Sequence, residues 1–119
     1  MTTEELATFR ANKLGPFKTA YFSAVKTRIG YETEVTAYDT EIGDLFESAV
    51  MDMLTAGVSE DQFVLLNIDK RVLNAIALYV QAYIEQDRSD TNRYMSLYKR
   101  VVFKLSLEDG GGWDVESDD

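Results

Sequence analysis

The chain has no cysteine and no histidine in its 119 residues. Disulfides, thiol nucleophiles, imidazole general bases and the usual zinc ligand sets are excluded together. A ferritin-like di-iron centre is excluded too, because its Glu-x-x-His helices require histidine. No apolar run reaches the eighteen or more residues of a membrane helix, and Met1-Thr2-Thr3-Glu4-Glu5 is not the start of a signal peptide. The expectation is synthesis in the cytoplasm with no membrane contact. A phosphate-binding Gly-rich loop, a Gly-x-Ser-x-Gly elbow, an Asn-x-Ser/Thr acceptor and an internal repeat are all missing. Catalysis has no visible seat, and neither a cofactor nor a metal is expected.

Bases are also scarce, with 12 Lys and Arg against 21 Asp and Glu for a net charge of -9. The imbalance is concentrated at the end of the chain. Residues 108–119 hold Glu108, Asp109, Asp114, Glu116, Asp118 and Asp119 and no base, so residues 1–107 carry only -3. A DNA mimic would array carboxylates along its folded surface, and a DNA binder would show a basic face and a high pI. Neither pattern is written here.

What is present is helical periodicity. The length fits one small domain with a modest core. Thr3–Lys13 has the weak pattern of a short helix, with Leu6 and Phe9, ended by Gly15-Pro16. Pro16 suits the first turn of a second helix over 16–29, where Phe17, Tyr21, Ala24, Val25 and Ile29 recur on one side and Gly30 caps the end. Residues 31–37 are expected as a loop, since a lone hairpin there is marginal. Over 38–56, Ile42, Leu45, Phe46, Ala49, Val50, Met53 and Leu54 keep helical spacing without a miss, and Gly57 follows at the C-cap position. Glu41, Asp44, Glu47 and Asp52 on its other faces read as solvated surface, because no EF-hand loop accompanies them.

Ser59-Glu60-Asp61-Gln62 has capping-box spacing, so Asp61–Leu66 is expected to form one helical turn that delivers Phe63, Leu65 and Leu66 to the core. Asp69 is placed to cap a helix over 69–87. Only Asn74 and Gln81 are polar between Val72 and Ile84, so that helix must be buried nearly all round. Arg88-Ser89-Asp90-Thr91 breaks the pattern, with Ser89 or Asp90 as cap of a last helix over 90–108. Its expected inner face is Tyr94, Leu97, Tyr98, Val101, Val102 and Leu105. Arg93, Arg100 and Lys104, offset by seven and four, share another stripe that is either plain solvated surface or a contact for an acidic partner. The pairs Tyr79/Tyr83 and Tyr94/Tyr98 are expected as facing core aromatics with hydroxyls at the boundary. Beyond Asp109, three consecutive glycines form a hinge. The residues after it read as a flexible, solubilising acidic tail, or as an anchor in which Trp113 and Val115 enter a partner's groove.

The fold class is therefore all-α: a small bundle of four principal helices. Residues 1–15 are an N-terminal extension or short helix, 16–108 the helical domain, and 109–119 the flexible acidic tail.

Within 72–107, an apolar helix ending in Tyr79 and Tyr83, a short acidic loop, and then Arg93, Tyr94, Tyr98, Leu105 and Leu107 at helical spacing make up a pattern. It resembles the tailed-phage head-to-tail connector family, the adaptor or head-completion proteins. The likeness covers roughly residues 17–107. It implies a structural virion protein at the head–tail interface: a homo-oligomeric, dodecameric ring bound to the portal protein after DNA packaging and reaching toward a stopper or tail-completion protein. DNA would pass through its channel without specific binding. A reading from another class is a small acidic phage-encoded module that inhibits a host protein through its tail; a small-terminase-like DNA binder comes third.

Overall fold

The computed structural model describes residues 1–84 and 88–108, the side chains of 88–90 excepted. Five α-helices make up the described chain: α1 (Thr3–Asn12), α2 (Leu14–Arg28), α3 (Asp39–Thr55), α4 (Lys70–Ile84) and α5 (Arg88–Ser106). One 3-10 turn, Glu60–Gln62, lies between α3 and α4, and no strand occurs among the described residues. The expected four principal helices are thus α2 to α5, with α1 added as a short fifth.

Local chemistry sets the helix ends. Thr2 and Glu5 form a reciprocal capping box at the start of α1. Only Lys13 separates α1 from α2, so Gly15 and Pro16 lie inside the first turn of α2 rather than between the helices. Proline is harmless there, because the first turn makes no intrahelical bond through its N–H groups. Gly30 and Gly57 close α2 and α3 with φ of 92° and 106°, a region that side-chain-bearing residues rarely adopt. Asp69 caps α4 as expected, its Oδ1 accepting from the Arg71 amide at 2.9 Å.

The core is one continuous cluster. α4 sits at its centre, packed against α2, α3 and α5. Val72, Ala75, Ile76 and Val80 have no exposure, while Asn74 faces out. α3 contributes the stripe read from the sequence: Ile42, Phe46, Ala49, Val50, Met53 and Leu54 are all buried. At the other end Phe17 packs edge-on to Phe63 at 5.4 Å, and Phe9 of α1 meets Phe63 at 5.9 Å. The N-terminal helix is therefore tied into the core.

Three expectations require correction. The turn after Ser59 buries Phe63 but not its neighbours: Leu65 is 55% exposed and Leu66 79%. The 3-10 turn ends at Gln62, Phe63 leaves helical backbone (φ -99°, ψ 71°), and Asn67 takes a left-handed φ of 57°. The chain therefore swings outward before completing an α turn. The inner face of α5 is also narrower than expected. Tyr98, Val102 and Leu105 are buried, whereas Leu97 is exposed and Met95 packs on the core instead. α5 packs chiefly on α4, so a single neighbour covers it and the buried arc is short. Finally, α5 is helical from Arg88, which places Ser89 and Asp90 in its first turn rather than ahead of it. Residues 85–87, expected as the end of the preceding helix, lie outside the described residues, as do the side chains of the two expected caps.

Candidate docking surface

The outer face of α5 mixes charge with apolar area. At 100° per residue, Arg93, Leu97, Arg100, Phe103, Lys104 and Leu107 fall within roughly one third of the helix circumference, the last of them just past its end. All six are exposed, with Phe103 at 64% and Leu107 at 69%. None of the three cations makes an ion pair among the described residues; the Arg93 guanidinium lies 5.9 Å from the centroid of the Tyr94 ring. Leu97, Phe103 and Leu107 are clustered rather than scattered, and a contiguous apolar patch rimmed by cations is the kind of surface that contacts a partner.

Beside this face a groove of about 380 Å³ opens between α3, α4 and α5. Tyr79, Tyr83 and Tyr98 line it, with Met95, Phe103 and Lys99 on the α5 side. Tyr79 packs against Tyr83 in a tilted arrangement, ring centroids 4.9 Å apart, and meets Tyr98 edge-on at 5.3 Å. The Tyr98 ring is buried, yet its hydroxyl donates to Asp52 Oδ2 at 2.6 Å. Burial first, and the Asp52 bond second, push the Tyr98 pKa far above the ordinary tyrosine range. Tyr79 shifts upward as well, also through burial. The Tyr98 hydroxyl is thereby kept as a neutral donor to Asp52. The expectation of core aromatics with hydroxyls at the boundary holds for Tyr98, while Tyr83 is exposed at the groove mouth.

The far end of α5 is pinned by an ionic clamp. Arg71 donates to Glu108 Oε2 at 2.8 Å and Oε1 at 2.6 Å, and its other edge meets Asp69 at 2.6 Å. The two carboxylates raise the guanidinium pKa further, and the Arg71 bond lowers that of Asp69. The carboxylates along α3 are dispersed by pairing: Glu47 meets Lys18, Asp39 meets Lys26, and Asp52 takes the Tyr98 hydroxyl. Among the described residues no group of three or more acids is arranged to hold a metal ion, and no helix is long and apolar enough to cross a membrane.

Sequence reasoning thus placed Arg93, Arg100 and Lys104 together on one exposed face. Trp113 and Val115 lie outside the described residues. It missed Leu97, Phe103, Leu107 and the exposed Leu65-Leu66 tip. Spacing alone carried the signal for Phe103 and Leu107: they alternate with Arg100 and Lys104 at i, i+3, i+4 and i+7.

The described residues form a small all-helical protein with an exposed face of mixed cationic and apolar side chains on α5 and a tyrosine-lined groove beside it. A family model described as phage connector protein matches residues 22–112, and the chain belongs to that family, which is structural rather than enzymatic. Comparison with curated proteins and with solved structures finds no match.

Proposed function

We propose that the protein is the adaptor of a tailed phage, the connector that completes the head after DNA packaging. Identical subunits close into a ring, dodecameric in this reading, beneath the portal protein and extend the DNA exit channel toward a stopper or tail-completion protein. The observation that carries the reading is the family match over 22–112, which takes in the second half of α2 and all of α3, α4 and α5. A heterologous interface repeated about a closed axis builds such a ring. The exposed α5 face supplies the contact: Arg93, Arg100 and Lys104 meet an acidic surface of the portal or of the next subunit, while Leu97 and Phe103 supply apolar area. Trp113 and Val115, beyond α5, add an anchor of the kind that buried tryptophans provide at interfaces. A net charge of -9 suits a channel in which DNA slides, because phosphate contacts generate most non-specific affinity. Assembly takes place in the host cytoplasm, and the mature location is the head–tail interface of the virion.

Light scattering over a concentration series, with and without purified portal, tests this. The expected outcome is a monomer alone and a ring-sized complex on the portal; a tight dimer indifferent to portal would sink the proposal. Reversing the charge at Arg93, Arg100 and Lys104 together should leave helicity intact and weaken portal binding in a salt-sensitive way. Unchanged binding would reduce the stripe to solvated surface.

A further inference from the structure

We infer that the tyrosine groove between α3, α4 and α5 receives the Leu65–Leu66 tip of a second copy of this chain, joining copies head to tail. The inference deepens the connector reading, and rests on it only for the closure of such contacts into a ring. Tip and groove belong to different faces of one subunit and complement each other in polarity and charge.

The tip is a preformed knob. Leu65 is 55% exposed and its neighbour Leu66 79%, whereas surface apolar residues ordinarily stand singly. Its base is fixed on both sides: Phe63 packs against Phe9 and Phe17, the Val64 carbonyl accepts from the Tyr21 hydroxyl at 2.8 Å, and Ile68 packs on the core. Asn67, with its φ of 57°, makes the left-handed turn that leads the chain back. Few conformations are left to lose on docking, which lowers the entropic cost of the contact. The same anchors place the tip beside α1 and α2, while no residue of those helices lines the groove. The exposure of both leucines shows that a subunit's tip does not fill its own groove, so a tip that does so comes from another copy.

The groove, at about 380 Å³, has the size of a ligand pocket, and Tyr79, Tyr83, Met95 and Phe103 give it apolar walls. Tyr98 already donates its hydroxyl to Asp52 at 2.6 Å, so an aliphatic occupant leaves that donor satisfied. Phe103, 64% exposed on the rim, gains cover in the same step. Charge agrees with this occupant. From Ser59 to Asp69 the chain has three acids, Glu60, Asp61 and Asp69, and no base. Glu60 pairs with Lys13 and Asp69 with Arg71, which leaves Asp61 exposed and without an ion pair among the described residues. On the α5 wall of the groove Lys99 is likewise exposed and unpaired, with Arg100 and Lys104 on the adjoining face. The groove's own acid, Asp52, lies on the α3 side. Two leucines and one ion pair bury well under the about 1,200 Å² at the low end of stable specific interfaces. One such contact is weak alone, and gains strength where copies are held side by side on a portal and close into a ring.

The chain has no cysteine, so introduced thiols are unique reporters. The single variants Leu65→Cys, at the tip, and Ser106→Cys, in the groove, are mixed and treated with a short bismaleimide, which traps contacts too weak for light scattering. The 65–106 product is expected severalfold above random pairing with the 65–65 and 106–106 products. A chain carrying both substitutions should give a ladder through dimer and trimer upward. Leu66→Asp on the tip chain and Lys99→Glu on the groove chain, at exposed positions where circular dichroism should stay unchanged, should each cut the 65–106 yield severalfold. Asp61→Lys on the tip chain should restore it against Lys99→Glu. A 65–106 yield no higher than random pairing overturns the inference, and so does one that none of these substitutions moves. An excess of 65–65 product, or a ladder that stops at dimer, overturns it too, because copies would then pair face to face. Repeating the reaction with purified portal separates this contact from the connector reading. Portal binding without a 65–106 product overturns the inference alone; a 65–106 product with no portal binding overturns the connector reading alone.

Discussion

Lys26 is buried to 2% exposure on α2, a place where lysine survives only with a partner. Its ammonium lies 2.8 Å from Asp39 Oδ1 and donates to the Thr33 carbonyl at 3.0 Å. The contact with Asp39 is ionic proximity rather than an aligned hydrogen bond: that buried oxygen has no hydrogen-bond donor. One side chain thus ties the loop between α2 and α3 to the start of α3. Lys26→Ala would leave a buried carboxylate oxygen without its counter-charge. The expected cost is about 3 kcal/mol, the low end for a broken buried pair, because the Asp39 side chain is about a third exposed and can partly rehydrate. Urea denaturation measures it; a loss below about 1 kcal/mol would show that the pair is already screened. The sequence stripe Phe17, Tyr21, Ala24, Val25 and Ile29 placed the helix but not this lysine. Its partners lie seven and thirteen residues away, across a loop whose path no periodicity encodes.

Among the elements, α3 and α4 were the most legible. Each is covered on several sides, so the pattern of apolar residues and the pattern of burial coincide. Where one neighbour covers an element, the coincidence loosens. α5 was read with Leu97 inward, and the short turn after Ser59 with Leu65 and Leu66 inward, because an apolar side chain does not say which way the backbone turns it. Half of the candidate surface, the Arg93–Arg100–Lys104 stripe, followed from helical arithmetic; the apolar half did not, since exposed apolar residues look like core residues in sequence. The clamp joining Asp69, Arg71 and Glu108 shows a long-range tie of the same hidden kind, and it carries a pH prediction. Asp69 is held below the ordinary aspartate range by Arg71, so in the folded state it takes up its proton at lower pH than in the unfolded chain. Its contribution is complete above the unfolded value of about 4 and is lost as pH falls below that. Arg71→Leu should therefore lower stability at pH 7 by more than it does at pH 3, in paired urea melts. The Asp69 side chain is 31% exposed, so solvent screens the pair, and the difference will be small and will shrink with salt. A gap of equal size at both pH values would mean that Arg71 acts through packing alone.

At the scale of the whole molecule, two electrostatic effects of opposite sign meet. Each chain carries -9, and the six acids without a base in residues 108–119 make copies repel as they approach. The α5 face is the local exception, with three cations on one stripe available to an acidic partner. Screening acts on the two terms in opposite directions. The Debye length falls from about 8 Å at 0.15 M salt to about 3 Å at 1 M, which weakens like-charge repulsion between copies and would weaken the attraction of the stripe to the portal proposed above. Raising salt should therefore favour association of the free subunits with one another while loosening the portal complex. Sedimentation of the protein alone and co-sedimentation with portal, followed over the same salt series, would give slopes of opposite sign. The Arg93, Arg100 and Lys104 reversal should flatten the portal slope and leave self-association salt-promoted, because it makes the net charge more negative still. Parallel slopes in the two experiments would mean that the same surface drives both contacts, and the stripe would then belong to the subunit interface and not to the portal.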